Sequence, residues 1–217
     1  MEVKQLIKRY PLLYHMAEPG AWPSIRQHGL MSTTAALARL NIPLEERRTI
    51  DGVQRPKKVT IRSPQGLQIV LRDQKPMPED RLRRAMDGSM TPQQWYELIN
   101  SRVFFWVSRA RLETLLCAVS YRNDEHDVLT IDSESLVRSH EGAIMLCHMN
   151  SGNTFPMPHI RGRDTFRSIA DYPTKANGSP AKEVVELTVA NEVLDIEKFV
   201  LRVQRMKGGH VINELPR

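Results

Sequence analysis

Three short stretches hold residues whose type and placement could do chemistry. In the first, Tyr14 and His15 end an apolar run, Leu12-Leu13-Tyr14, that reads as a strand. Turn residues Glu18-Pro19-Gly20 follow. Trp22 to His28 then reads as a helix, with Pro23 in its first turn and Gly29 as its C-terminal cap. Leu30, Met31, Ser32 and Thr33 leave it extended, and Gly29 marks a point where backbone can approach a ligand closely. In the second stretch, the aromatic run Val103-Phe104-Phe105-Trp106-Val107 predicts a strand buried on both faces. Arg109 comes just after it, anchored on a rigid element with its head free to pair bidentately with phosphate oxygens. Arg111 competes for that role. In the third, Glu183 to Val189 predicts a strand. Glu186 faces away from Val185 and Leu187, and Glu183 points to the opposite side, so only one of the two acids can enter a site. A carboxylate in a cleft can take a proton from an attacking group.

Each residue also has an ordinary use. Tyr14 and His15 can pack a core, Gly29 can be a plain cap, Arg109 a surface charge, and Glu186 an exposed strand acid.

The elements that must bring these stretches together are short. Residues 1–11 predict a helix ended by Pro11, and Thr34–Leu40 and Glu45–Ile50 predict two more. Val59-Thr60-Ile61 and Leu67 to Leu71 read as paired strands joined by a turn at Ser63-Pro64-Gln65-Gly66. Glu79–Met86 reads as a basic helix. Thr91 caps a further helix that opens with Pro92. After the aromatic strand come a helix over Ala110–Val119, a strand at Val128–Asp132, a helix at Ser133–His140 and a strand at Ala143–Leu146. Asn150–Tyr172 reads as a loop containing Arg161, Arg163 and Asp164, whose arginines could meet a phosphate or be ordered by Asp164. His126 and Asp127 could form a similar pair. A short strand, Val200–Val203, closes the pattern. The expected class is α+β, in one domain spanning 1–217.

The chain has 217 residues, 41% hydrophobic and 26% charged, as ordinary globular chains do. Its net charge is +6, and between Asp51 and Met90 Lys and Arg outnumber Asp and Glu nine to five. Such a patch can track phosphates. No apolar run approaches the roughly 20 residues a membrane span needs, and the first residues lack the apolar centre of a secretory signal. A cytoplasmic protein without a membrane partner is expected. Cys117 and Cys147 sit among apolar residues and suggest buried free thiols in a reducing compartment. The scattered histidines form no metal signature, so no metal is expected.

Taken together, the Tyr14-His15/Gly29-Leu30 stretch, the aromatic strand running into Arg109 and the Val184–Val189 strand with Glu186 resemble NAD-consuming ADP-ribosyltransferases. The likeness is greatest to the DarT-type DNA-modifying enzymes and looser to the RNA 2′-phosphotransferases. The three motifs stand in the order that family has. The resemblance implies a split β-sheet core with a helical insertion, and NAD as substrate. It implies that Tyr14, His15, Gly29, Leu30, Met31, Ser32 and Thr33 hold NAD while Arg109 orients it. Glu186 would stabilise the ribosyl cation. Here Val107-Ser108 replaces the family's usual turn residues before the arginine. Residues 34–102 are longer than the family requires and carry the positive charge. We read them as a basic substrate-recognition insertion, with Lys57, Lys58, Arg83 and Arg84 contacting nucleic acid. The implied activity is ADP-ribosyl transfer to a nucleic-acid base, DNA before RNA, by a toxin or phage-defence effector, for which an antitoxin protein would be a partner. NAD hydrolysis, RNA 2′-phosphate removal, and an inactive nucleic-acid-binding domain of the same fold are the alternatives.

Overall fold

A computed structural model describes residues 1–62, 66 and 68–217. The turn expected at Ser63-Pro64-Gln65 and the strand start at Leu67 lie outside the described residues. The helices are α1 (Val3–Arg9), α2 (Trp22–His28), α3 (Thr33–Arg39), α4 (Leu44–Asp51), α5 (Glu79–Ala85), α6 (Pro92–Asn100), α7 (Arg109–Leu116) and α8 (Ser133–His140). The strands are β1 (Leu12–Ala17), β2 (Leu30–Met31), β3 (Val59–Arg62), β4 (Gln68–Leu71), β5 (Arg102–Trp106), β6 (Glu125–Asp132), β7 (Ile144–Cys147), β8 (Phe166–Ser168), β9 (Glu186–Ala190), β10 (Glu192–Val193), β11 (Val200–Lys207) and β12 (His210–Leu215). The class is α+β, built on one large antiparallel sheet.

That sheet runs β12-β11-β6-β1-β5-β9-β7-β8. Its middle is weakly joined. β1 and β6 share six residue pairs and β5 and β9 share five. Between β1 and β5 the ladder has a single pair, Tyr14 with Trp106. From there the end of β1 and the start of β5 part. Two small sheets, β10 with β2 and β3 with β4, stand apart from the large one.

The main core is built from alternate strand positions: Leu13 and Ala17 of β1, Val103 and Phe105 of β5, Leu129 and Ile131 of β6, Leu187 and Val189 of β9. This is the two-residue side-chain period of a pleated strand. β5 is therefore not buried on both faces as expected. Val103 and Phe105 are buried while Arg102, Phe104 and Trp106 are only half-buried, because the second face borders a cavity. The 34–102 segment has a small core of its own, Ala36, Leu37 and Leu40 against Ile61 and Leu71. A further cluster joins Met77, Leu82, Trp95 and Tyr96 to Cys147 and Phe166, docking the segment on the β7–β8 edge.

Local signals explain several boundaries. The Thr91 side chain accepts from the Gln94 backbone while the Gln94 side chain reaches back, a capping box that starts α6. Gly29 ends α2 at φ +82°, and a Cβ there would stand 2.5 Å from Leu194 Cα. The glycine thus serves both the cap and the packing of β2 beside β10. Three expectations are corrected. The closing strand is eight residues long, and β12 pairs with it through a Gly208-Gly209 hairpin with both φ positive. Cys117 is exposed and only Cys147 is buried, since Cys117 caps a helix end beside that hairpin. Asp127 pairs with Arg205 rather than His126, because His126 turns to the ring of Tyr121.

Candidate functional site

The parting of β1 and β5 opens into a cavity of about 520 Å³, within the range of ligand sites. His15, Phe104, Phe105, Trp106 and Glu186 line its floor. One wall is the run from Ser24 to Thr33, including Gly29, Leu30, Met31, Ser32 and Thr33. The opposite wall comes from the 34–102 segment, with β4, Arg55, Arg72, Asp73 and Asn100. The loop Asn150-Ser151-Gly152 completes the lining.

His15 bridges the gap between the parted strands. Its Nδ1 stands 2.8 Å from the Phe104 carbonyl. A carbonyl only accepts, so Nδ1 carries the proton and Nε2 the lone pair. Burial lowers its pKa to about 4, and Arg72 adds to that lowering. The ring is neutral across the physiological range.

Glu186 is 4% exposed. Both its oxygens accept from the Ser151 backbone N–H at 3.2 Å. Burial raises its pKa to about 7, against the opposing pull of the Ser151 hydrogen bonds, Arg161 and Arg111. A carboxylate poised at neutral pH inside a cavity is suited to proton transfer. Glu183 goes elsewhere, as the strand alternation predicts: it pairs with Arg9 and accepts from Tyr10 Oη.

Two expected residues are not brought into the cavity. Tyr14 pairs with Trp106, which pairs with Glu186, so it shares their face of the sheet, but it packs there with Met16, Leu112 and Leu116 and does not line the cavity. Adjacent strand residues face opposite ways, so Tyr14 and His15 cannot share one face. Arg109 sits beside Tyr14 and does not line the cavity either. Its Nε donates to Glu113 at 2.8 Å, one Nη to Gln204 at 3.3 Å, and its guanidinium stands over the Tyr14 ring. Starting α7 there gives it an acid one helical turn on, which captures the charge. Of the insertion's four candidate nucleic-acid contacts three form ion pairs, those of Arg83 and Arg84 being solvent-exposed. Lys58 pairs with Glu18, Arg83 with Glu79 and Arg84 with Asp80. Lys57 is exposed, and none of the four lines the cavity.

Other guanidiniums take the places near the site. Arg55 is 6% exposed and clamps the wall, donating to Thr33 Oγ1, Asn100 Oδ1 and the Ile50 and Arg72 carbonyls. Arg102 donates to Thr188 Oγ1 at 3.2 Å and lies over Phe166. The Nε atoms of Arg72 and Arg102 are buried with no protein partner among the described residues. Such orphaned donors on a cavity wall suit an acceptor-rich ligand. Arg161 is 1% exposed. It donates to the carbonyls of Ser151, Asn153 and His159, which sets the loop whose N–H meets Glu186. Asp164 pairs with Arg167 instead. Of these guanidiniums, the sequence singled out that of Arg161 alone, in the loop with Arg163 and Asp164. Arg55 and Arg72 arrive through tertiary folding. Among the described residues, no group of three or more His, Cys, Asp or Glu is placed to hold a metal ion, and no helix is long and apolar enough to cross a membrane.

A family model described as a family of unknown function (DUF7002) matches residues 11–200. No curated protein matches the chain. The matched span runs from the residue before β1 to the first residue of β11, and so takes in every wall of the cavity. The chain belongs to this family of unknown function, DUF7002.

Proposed function

We propose that this protein is an NAD-dependent ADP-ribosyltransferase with a split-sheet core, acting on a nucleic-acid acceptor, DNA before RNA, as a toxin or phage-defence effector. One observation carries the reading: His15, the Gly29–Thr33 edge and Glu186 meet in one cavity where the central sheet parts. Segments far apart in sequence thus supply an imidazole, an extended backbone edge and a carboxylate to a single dinucleotide-sized space.

The fit to NAD rests on this chain's own groups. Neutral His15 offers Nε2 as an acceptor for a ribose hydroxyl. Arg72 and Arg102, whose buried Nε donors have no partner among the described residues, take the pyrophosphate role that Arg109 does not. Gly29 lies on the same wall, packed closely against the Leu194 backbone, and fixes where the Leu30–Thr33 edge runs. Glu186, poised near pH 7, holds negative charge beside the developing ribosyl cation and takes the acceptor's proton. The basic 34–102 segment forms one wall of the same cavity, which supports acceptor recognition beside the NAD site.

Incubation with labelled NAD and a panel of DNA, RNA and protein tests this. Label on DNA or RNA that disappears in Glu186→Gln is the expected result. Release of free ADP-ribose alone would mean hydrolysis, and NAD left intact with every acceptor would overturn the reading.

A further inference from the structure

A second cavity, of about 310 Å³, opens beside the first. Asn150 lines both. Val185, next to Glu186 in sequence, lines the second, as does Arg111, whose charge acts on Glu186. Asn150, shared by the two cavities, is followed by Ser151, whose N–H holds the carboxylate.

Its lining is chemically distinct. Arg111 brings a fixed positive charge and His159 an imidazole, while burial, and then Lys182, lowers the pKa of His148 and favours its neutral ring. No Asp or Glu is among the described residues lining it. Asn150 and Asn153 add amides that can read hydrogen-bonding edges. Phe155 and Met157 supply apolar surface and are 47% and 80% exposed. The loop carrying them is held in shape. Arg81 stacks 3.8 Å from the Phe155 ring centroid and donates to the Thr154 and Pro156 carbonyls, and Arg161 holds the Asn153 carbonyl from beneath. Cations for phosphate, amides for base edges and a half-exposed aromatic ring are the elements that bind an unstacked nucleotide.

We propose that this second cavity is the acceptor subsite: it seats one nucleotide of a single-stranded nucleic acid, with Arg111 and His159 on its phosphates and Phe155 against its base. The assignment rests on the transferase reading above. In the transfer step, the C1′–nitrogen bond to nicotinamide breaks and nicotinamide leaves with the electron pair. The base nitrogen or oxygen bonds to C1′, and its proton passes to Glu186.

The test does not need NAD. Anisotropy of a fluorescein-labelled mixed-sequence single strand gives its Kd for the wild type, for Arg111→Ala/His159→Ala, and for Lys4→Ala/Lys8→Ala, a double charge change on α1. The cavity variant is expected to bind about 10-fold more weakly with a lower salt slope, and Phe155→Ala severalfold more weakly. The α1 variant should stay within about twofold. Circular dichroism melts confirm that each variant is folded. A wild type that does not bind the strand, or a cavity variant that binds as the wild type does, overturns the subsite. Label transferred to protein and not to nucleic acid overturns it too while leaving the transferase reading intact. Strand binding without any NAD turnover would keep the subsite and remove the transferase.

Discussion

Replacing Glu186 by Gln is expected to stabilise the fold while stopping the chemistry. The carboxylate is held at a pKa of about 7, against 4.5 for a free glutamate, because burial disfavours its charge. The sign follows from linkage. Between those two values the native state holds a proton that the unfolded chain has released, so native stability falls as pH rises through this window. The full shift is worth on the order of 3 kcal/mol above pH 8, and only about 1 kcal/mol is expressed at pH 5. Gln is neutral at every pH and keeps an oxygen for the Ser151 N–H. Thermal melts of wild type and Glu186→Gln should therefore differ by roughly 6–12 °C at pH 8 and by roughly 2–4 °C at pH 5, the variant being higher at both. Nicotinamide release from NAD should fall by at least ~100-fold in the variant. A variant less stable than wild type at pH 8, or a difference that does not grow with pH, would mean that the carboxylate is satisfied structurally and is not held in readiness.

Three further outcomes are expected. Arg161→Met strands three loop carbonyls and should cost about 3 kcal/mol in denaturant unfolding; it also removes a charge that lowers the Glu186 pKa, so the acidic limb of the rate profile should move to higher pH. An unmoved limb would break the link between this loop and the carboxylate. Gly29→Ala forces a Cβ against Leu194 at positive φ and should lower Tm by roughly 5–10 °C, with weaker NAD binding; an unchanged melt would contradict the close packing of β2. Arg109→Ala should cost about 1 kcal/mol and leave NAD affinity within about twofold in a direct titration, whereas a large loss of affinity would return Arg109 to the site.

Much of the fold could be read from local chemistry. Pro23 and Gly29 bounded α2, Thr91 and Pro92 opened α6, and the strand period separated Glu186 from Glu183. These signals lie within a few residues of what they specify. The same period was available at Tyr14-His15, where it sends the two side chains to opposite faces, and only His15 reached the cavity. Arg109 does not line the cavity, and the sequence could not show this because its surroundings are tertiary. Gln204 and Met206, which share it with Glu113, lie on a strand that extends beyond the four residues its sequence suggested. Arg55 and Arg72 had no local signature, since each reaches its place only when the 34–102 segment folds back on the sheet, and Arg161, noted as a phosphate contact, instead holds three loop carbonyls. The parting of β1 and β5 is a matter of register, set by long-range pairing that one sequence does not display.

The most direct test of the central claim is a calorimetric titration of NAD into the wild type and Arg102→Ala. Saturable one-to-one binding is expected for the wild type, weakened about 10-fold or more when the cavity guanidinium is removed. No saturable binding at millimolar NAD, or equal affinity in both proteins, would contradict a dinucleotide site in the parted sheet.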